Sequence, residues 1–348
     1  VRAFSQLDDS PETMAYVEHP IPDPDLARAA SSGSVRTKLV QARFGWLRLA
    51  LPWRLWRDRT DLVHLPSTIV PPFLPCPAVV TVHDLAWAYY PEAYPQDDLR
   101  MQRVAVRGAA QRAARIIAVS ETTALDLHAR LAIPKDRISV IPLAVSPRFS
   151  AEGPRLSGRA FPGAERLAAG YLLYVGRLDP RKNLLRLLEA YQKLCAGMPP
   201  PPLVLAGPTT AHASELAAAA QRLAIEGQVI FAGYVPEDEL PDLYRSAGLF
   251  LYPSLYEGFG LPVLEAMACG IPAIASDRSS LPEVAGDAAL LVDPENVERL
   301  TEAMSLLLTD EGLRTGLIAR GLARSRLFTW ERTARETIEV YRQVAARG

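Results

Sequence analysis

Several features that define broad protein classes are missing from this 348-residue chain. Its three cysteines show no CxxC spacing, which argues against a disulfide framework or a cysteine zinc site and suits a reducing compartment. No apolar run approaches the ~18 residues of a membrane span, and no signal peptide is recognisable. The formal net charge of -1 argues against a nucleic-acid binder. We therefore expect a cytoplasmic globular protein, and the length predicts two domains.

Short apolar runs alternate with helical patterns along most of the chain. Runs rich in Val, Ile and Leu, apolar on both faces, are typical of parallel strands covered by helices. They lie at 62–65, 78–82, 115–119, 138–141, 171–175, 202–206, 229–233, 249–253, 272–276 and 289–292. Helical patterns lie near 98–114, 121–131, 184–196, 212–225, 238–246, 261–269 and 296–308. This alternation predicts an α/β fold, and no strand is followed by the GxGxxG of a dinucleotide site.

The alternation is interrupted once, over residues 146–170, which are rich in Gly, Pro, Ser and Arg. We interpret this stretch as the connection between two Rossmann-like domains. The predicted parts are a first domain over 1–148, a linker over 149–168, a second domain over 169–328 and a C-terminal helix over 329–348. Ligands bind open α/β sheets at the carboxyl ends of their strands, so we expect the site in the cleft between the domains.

The C-terminal helix has its own start signal and apolar face. Thr329 can cap a helix from Trp330 onward, with Ile338, Tyr341 and Val344 on one side. We expect this helix to pack back towards the first domain.

Two glutamates eight residues apart stand around a Gly-Phe-Gly in the stretch SLYEGFGLPVLEAMACGIP. Gly258 and Gly260 weaken a helix and Pro262 suits a first turn, which puts Glu257 on a loop and Glu265 inside the following helix. The amides of such a loop and helix start attract anions and hydroxyl oxygens. The segment therefore indicates a ligand site; the alternative is a surface loop before an ordinary amphipathic helix.

A cationic turn, YVGRLDPRKN, follows the first strand of the second domain. Gly176 ends the strand, and Arg177 and Lys182 flank a turn through Pro180. Two cations beside a helix start favour phosphate and would stabilise the charge that grows on a leaving diphosphate. The alternative is a solvated basic turn.

Together these motifs resemble a known family. GRLDPRKN, LVLAGP, the stretch from VIFAGYVPEDEL to PAIAS, and LPEVAGDAALLVDP are similar to the donor-binding domain of retaining glycosyltransferases of family 4. TVHDLAW, IIAVSETT and VIPLAVSPRF resemble the first domain of the same family, especially its mannosyltransferase-like members. The resemblance extends over nearly the whole chain from about residue 60. It implies a GT-B fold, with two Rossmann-like domains facing a cleft.

The resemblance also implies a role for each matching residue. It assigns the diphosphate to Arg177 and Lys182, the ribose hydroxyls to Glu265, the transferred sugar to Glu257 and His83, sugar hydroxyls and phosphate to the amides of Gly258, Phe259 and Gly260, and the base to Tyr234 and Val235.

The implied reaction is retaining transfer of a hexose from a nucleotide sugar to a glycan or lipid-linked acceptor, with no cofactor and no bound metal. GDP-mannose is favoured over UDP- or ADP-glucose as donor. The only Asp-x-Asp, Asp23-Pro24-Asp25, lies in a proline-rich stretch and not at a predicted strand end. We favour front-face attack over a covalent intermediate on Glu257. Two alternatives stay open: a non-catalytic sugar-nucleotide-binding protein, and another GT-B enzyme such as a phosphorylase or an epimerase.

Two features of the N-terminal part stand apart from the site motifs. The chain opens VRAFSQLDDSPETMAY, without the expected strand and Gly-rich loop, so we expect a fragment lacking the first βα unit. Residues 36–59 hold seven cations against Asp58, with three interleaved tryptophans. A basic, Trp-bearing amphipathic helix can lie on an anionic membrane, which would put this segment in peripheral contact with the inner face of the cell membrane. Pro52, which would break such a helix, counts against this interpretation. The alternative, which we favour, is an ordinary helix with its tryptophan rings in the core and a solvated basic face.

Overall fold

The structure is a computed structural model that separates into two compact units. It describes residues 2–21, 27–28, 33–42, 44–156, 164, 167, 170–208 and 210–346. The first unit comprises Val1–Leu85, Tyr94–Leu143 and Thr329–Gly348, and the second comprises Ala86–Ala93 and Ala144–Phe328. Asp23-Pro24-Asp25 lies outside the described residues, as does half of the predicted linker 149–168.

Strands and helices alternate along the chain. The strands are β1 (Thr13–Val17), β2 (Val35–Leu39), β3 (Val63–Leu65), β4 (Ala78–Val82), β5 (Arg115–Ala118), β6 (Ile138–Val140), β7 (Tyr171–Val175), β8 (Leu203–Ala206), β9 (Val229–Gly233), β10 (Ala247–Tyr252), β11 (Ala273–Ser276) and β12 (Leu290–Val292). The helices are α1 (Leu51–Asp58), α2 (Ala86–Tyr89), α3 (Gln96–Arg112), α4 (Glu121–Leu131), α5 (Leu184–Gly197), α6 (Ala211–Arg222), α7 (Leu240–Ser246), α8 (Leu261–Ala268), α9 (Leu281–Ala285), α10 (Val297–Thr309), α11 (Glu311–Ser325) and α12 (Trp330–Ala345). Every predicted strand is present within a few residues of its predicted bounds, and the α/β fold class is confirmed.

The second unit is built on a six-stranded parallel sheet of order β12-β11-β10-β7-β8-β9. Strands β7 and β8 are buried along their whole length, which explains why they read as continuous apolar runs. Strands β7, β8 and β9 are added in one direction across the sheet, and β10, β11 and β12 are added in the other direction. Strand β10 therefore pairs with β7, and the strand order reverses at this pair. Their carboxyl ends are therefore adjacent, and these are the ends that carry the cationic turn and the Gly-Phe-Gly loop.

The first unit contains a four-stranded parallel sheet of order β3-β4-β5-β6 and a separate parallel pair, β1 and β2. The pair was not predicted. Its strands mix polar with apolar residues and are mostly only half-buried, so neither forms an apolar run.

The Trp-bearing segment is helical over only part of its length. Its first residues belong to β2, and a π-helical turn, Trp46–Ala50, leads directly into α1. Pro52 therefore does not break the helix, because it lies in the first turn of α1, where proline is tolerated. Trp53 and Trp56 are 54% and 68% exposed, so the interpretation with the tryptophan rings in the core is wrong.

The C-terminal helix α12 lies in the first unit. Thr329 accepts a hydrogen bond from the amide of Arg332, as its capping position predicts. Val340 and Val344 pack against Val79 of β4 and Ile117 of β5. Among the described residues, no helix combines the length and the apolar character needed to cross a bilayer.

His64 of β3 contacts both α12 and the neighbouring strand β4 through its two ring nitrogens. His64 Nδ1 lies 2.5 Å from the Tyr341 hydroxyl, and its Nε2 lies 2.8 Å from Thr81 Oγ1. Burial lowers the pKa of His64 to about 4, with a smaller contribution from His83. His64 is thus a neutral structural residue of this unit.

We expect the free energy of unfolding to fall by about 3 kcal/mol as the pH drops from 6.5 to 4. Over this range His64 is protonated in the unfolded chain, where its pKa is about 6.5, but stays largely neutral in the folded protein, where its pKa is about 4. Urea unfolding across this range would measure it. His64→Gln should remove this part of the pH dependence; equal pH dependence in the variant and the wild type would contradict the assignment.

Candidate active site

The loop after β7 is anchored to the loop after β10. Asn183, in the left-handed conformation with φ of 61°, donates hydrogen bonds from its side-chain amide to the carbonyl oxygens of Pro253 (3.2 Å) and Pro294 (2.6 Å). The 3-10 turn just before it carries Arg181 and Lys182. Both cations are consequently held against the neighbouring loop.

Three charged side chains meet where these loops touch. Lys182 and Glu257 are only 5% and 8% exposed. Lys182 Nζ donates to Glu257 Oε1 (2.5 Å) and to the Tyr252 hydroxyl (3.0 Å). Arg181 Nη1 donates to Glu257 Oε2 (3.1 Å) and to the carbonyl oxygen of Tyr256 (2.8 Å). Each carboxylate oxygen of Glu257 therefore has its own cation.

The main chain of the Glu257 loop is fixed as firmly as its side chain. The amide of Glu257 donates to Ser279 Oγ (2.9 Å), and Ser280 Oγ donates to the Glu257 carbonyl oxygen (2.9 Å). The amide of Leu255 donates to the carbonyl oxygen of Arg181 (2.9 Å). The loop is thus positioned before any ligand arrives.

The electrostatic balance of the site favours anions. Burial alone would raise the pKa of Glu257, but Lys182 and Arg181 outweigh it and hold this pKa below its usual value. Asp179 Oδ1 lies 3.8 Å from Arg181 Nε, and Asp179 Oδ2 lies 3.9 Å from Arg177 Nε. The side chain of Arg177 is 70% exposed. Three cations face two carboxylates, so a positive charge remains, and Arg177 is the cation that can reach solvent.

Two glycines and a buried phenylalanine shape the Gly-Phe-Gly loop. Phe259 is buried, with its ring edge-on to Phe328 at 5.8 Å between centroids. Gly260 has φ of +115°, and a Cβ there would lie 2.6 Å from Leu281 Cδ2. Only glycine fits this position, and Gly258 is also buried. Helix α8 starts directly after this loop.

Glu265 lies in the second turn of α8 and is half-buried. Its Oε2 accepts a hydrogen bond from the Tyr244 hydroxyl at 2.9 Å. Burial raises the pKa of Glu265 to about 7; the Tyr244 hydrogen bond acts in the opposite direction and nearby Glu237 in the same one. This carboxyl group is therefore partly protonated near neutral pH.

The side chains of the three remaining predicted site residues, Tyr234, Val235 and His83, differ in solvent exposure. Tyr234, directly after β9, is 69% exposed, whereas the side chain of Val235 is buried in the core of the second unit. His83 follows β4 in the first unit and is exposed, with Nε2 3.2 Å from the carbonyl oxygen of Pro66. All the predicted site residues except His83 thus lie in the second unit.

The sequence interpretation missed Arg181, although it stands directly before Lys182. Its signal was a third cation in the turn, but nothing in the spacing showed which two would meet Glu257. A second missed contact is the stacking of Tyr89 on Tyr256, with ring centroids 4.8 Å apart. It was missed because residues 86–93 were assigned to the first domain, whereas in the structure they belong to the second unit. Across the described residues, no group of three or more His, Cys, Asp or Glu side chains could hold a metal ion.

Family models match both parts of the chain. Residues 162–324 match the model described as glycosyl transferases group 1, and residues 18–149 match the model described as glycosyltransferase family 4. O-antigen chain mannosyltransferase B of Escherichia coli is 37% identical over 295 residues, which are 83% of this chain and 76% of that protein. The serotype-specific mannosyltransferase WbdA of Escherichia coli is 35% identical over 66% of this chain, but only 29% of WbdA is matched.

Solved structures resemble the chain over nearly its whole length. Sucrose-phosphate synthase from Thermosynechococcus elongatus superposes with a TM-score of 0.76 at 23% identity, covering 100% of this chain and 92% of that one. Anabaena Alr3699/HepE in complex with UDP and glucose superposes with a TM-score of 0.69 at 18% identity, covering 95% and 99%. At these identities the resemblance concerns the fold.

Proposed function

Because the chain belongs to the group 1 glycosyltransferases of family 4, we propose that it moves a hexose, with mannose favoured, from a nucleotide diphosphate sugar to a glycan or lipid-linked acceptor, with retention and without a bound metal. The chain is a hexosyltransferase with the GT-B fold, in which each of two α/β domains has a parallel sheet. The donor, the stereochemistry and the metal independence are parts of the proposal.

One observation carries the proposal. Buried Lys182 and partly buried Arg181 pair with Glu257 beside exposed Arg177, at the adjacent carboxyl ends of β7 and β10. Guanidinium and ammonium groups with excess positive charge are suited to a diphosphate, and they supply the positive charge that a metal ion supplies in other transferases.

In the proposed step, the bond between the anomeric carbon and the β-phosphate oxygen breaks, and its electron pair stays on the diphosphate. The acceptor hydroxyl oxygen forms the new bond on the same face, and its proton passes to the leaving phosphate oxygen. Arg177 and Lys182 would stabilise the charge that develops on that oxygen.

The state of Glu257 supports front-face attack over a covalent intermediate. Both of its carboxylate oxygens accept hydrogen bonds from cations, which reduces their ability to act as a nucleophile. Mass spectrometry that found a hexose covalently bound to Glu257 during turnover would contradict this route.

The preference for mannose draws on the mannosyltransferases that the chain resembles. Transfer would be tested with GDP-mannose, UDP-glucose and ADP-glucose in EDTA, using a mannose disaccharide as acceptor and NMR to assign the anomeric configuration of the product. An α-linked product from GDP-mannose is expected. Inverted configuration, or transfer only with added Mg²⁺, would overturn the corresponding part of the proposal.

Donor binding should depend on the protonation of Glu265. An ionised carboxylate can accept hydrogen bonds from two ribose hydroxyls, so binding should select the ionised form and release protons near pH 7. Calorimetric titration of GDP in buffers of different ionisation enthalpy would measure this release, and affinity should weaken as the pH falls below 7.

A matched pair of variants checks the assignment. Glu265→Gln should bind GDP at least about tenfold more weakly and lose the proton release. Exposed Glu226→Gln, in the same unit, should behave like the wild type. Wild-type affinity and proton release in Glu265→Gln would show that the ribose lies elsewhere.

A further inference from the structure

The helical segment 46–58 of the first unit, together with Phe44 just before it, exposes large apolar side chains to solvent. Phe44, Leu49, Trp53 and Trp56 are 83%, 71%, 54% and 68% exposed. Leu49, Trp53 and Trp56 follow the spacing of one helix face, whereas Leu51 and Leu55, on the opposite side, are buried in the unit. The segment thus has two apolar faces, of which the fold uses one.

Cations accompany the exposed face, and they are not neutralised. The carboxylate of Asp58 is occupied elsewhere: it accepts hydrogen bonds from Lys38 and Arg54, which overcome the effect of burial and lower its pKa to about 2. Within the described part of the chain, Arg48, Arg57 and Arg59 have no ion-pair partner. The four exposed apolar side chains and these three arginines are called the Trp–Arg surface below.

The surface continues onto the loop between β3 and β4. An open concavity of about 600 Å³ is lined by Trp56, Arg57, Arg59 and Pro75 of that loop. Phe73, two residues before Pro75, is 80% exposed. Two guanidinium groups beside an indole and a proline provide room for a phosphate group with apolar atoms next to it.

We propose that the Trp–Arg surface docks on an anionic lipid bilayer. Tryptophan and arginine favour the boundary between lipid headgroups and acyl chains, where an indole ring is partly buried and a guanidinium stays with phosphate. An apolar stripe accompanied by unpaired cations matches that boundary in both depth and charge. The guanidinium of Arg57, 5.4 Å above the Trp53 ring, already combines both features. Docking goes beyond the proposed transfer, since it requires neither donor nor acceptor.

Flotation of the purified chain with vesicles tests the proposal. We expect binding to vesicles of equal parts phosphatidylcholine and phosphatidylglycerol, and little binding to phosphatidylcholine alone. The double variant Trp53→Ser/Trp56→Ser should bind at least about tenfold more weakly. The triple variant Arg48→Gln/Arg57→Gln/Arg59→Gln should lose about fivefold in affinity for each arginine removed. All five positions are exposed or solvent-facing, so the unit should keep its fold.

Matched variants distinguish docking through this surface from non-specific binding to vesicles. Trp330→Ser removes a tryptophan that is 42% exposed on α12, and Arg222→Gln/Arg299→Gln/Arg320→Gln removes three exposed arginines of the second unit. Both should float like the wild type. The proposal is overturned if the wild type does not float with anionic vesicles, or if the Trp–Arg variants and the matched variants float equally.

Tryptophan fluorescence gives a second readout. Brominated phosphatidylcholine mixed with phosphatidylglycerol should quench Trp53 and Trp56 on binding, because quenching needs contact with the acyl chains. Quenching that persists undiminished in Trp53→Ser/Trp56→Ser would place another surface on the lipid and contradict the proposal. GDP titration of the same variants should be unchanged, which separates a failure of docking from a failure of the proposed donor site.

Discussion

Replacing Lys182 with methionine is expected to lower kcat/KM for hexose transfer by about a hundredfold to a thousandfold. The ammonium group would stabilise charge on the leaving diphosphate, and removal of one such preorganised donor typically costs about 10²–10³ in rate. Methionine keeps most of the side-chain volume against Tyr252, so the loss should reflect charge more than packing. Release of GDP from GDP-mannose, with product detected by mass spectrometry, would measure the effect.

Stability measurements distinguish this catalytic role from a structural one. Lys182→Met leaves Glu257 buried with Arg181 alone, and breaking a buried pair in this way costs about 3–5 kcal/mol. The double variant Lys182→Met/Glu257→Gln removes both charges and should recover much of that stability. It should not recover activity.

A surface pair provides the control. Lys193 and Glu298 also form an ion pair, but their side chains are 48% and 66% exposed, so Lys193→Met should change stability by less than about 1 kcal/mol and activity not at all. Transfer within a few-fold of wild type in Lys182→Met would show that this lysine serves the fold only. The proposed diphosphate site would then have to rest on Arg177.

The second large effect is expected from Gly207→Ala, which should lower the free energy of unfolding by about 4 kcal/mol or more. Gly207 has φ of +154°, and a Cβ there would overlap the carbonyl oxygen of Gly176. The overlap is with backbone, which cannot rotate away as a side chain can. Urea unfolding followed by circular dichroism would measure the change.

The contact matters because it joins three strand ends. The amide of Gly176 donates a hydrogen bond to the carbonyl oxygen of Ala206, and the amide of Gly207 donates one to the carbonyl oxygen of Gly233. These two hydrogen bonds connect the carboxyl ends of β7, β8 and β9. Forcing two of them apart would also displace Arg177. Gly197→Ala, with no atom close to the added Cβ, should be neutral or slightly stabilising. Similar stabilities for the Gly207 and Gly197 variants would rule out the steric explanation.

Predictability of the fold depended on how deeply each element is buried. Strand β7, YLLYV, is covered on both faces and was found from its sequence alone. Strand β1, TMAYV, has nearly as many apolar residues, yet its half-buried position in a two-stranded sheet gives no clear pattern. The π-helical turn before α1 was likewise missed, because the spacing of apolar residues does not distinguish one π-helical turn from an α-helix.

The candidate site shows the same division. The glycines and Pro262 around Glu257 marked a loop and a helix start, because these residues restrict the backbone wherever they occur. The partner of Glu257 could not be deduced, since Lys182 lies 75 positions away and is brought close only by the pairing of β7 with β10. The raised pKa of Glu265 was equally hidden, because burial is a property of the assembled unit.

The sequence by itself determined the α/β alternation, the places where the backbone must turn, and the chemical groups available at each strand end. Those properties follow from side-chain periodicity and from the conformational limits of glycine and proline, which act over a few residues. The tertiary structure alone decided that Arg181 and Lys182 share Glu257, that Val235 is buried while Tyr234 is exposed, and that Trp53 and Trp56 stay in solvent. These outcomes depend on which strands become neighbours and which helix face is covered, and no short stretch of the chain contains that information.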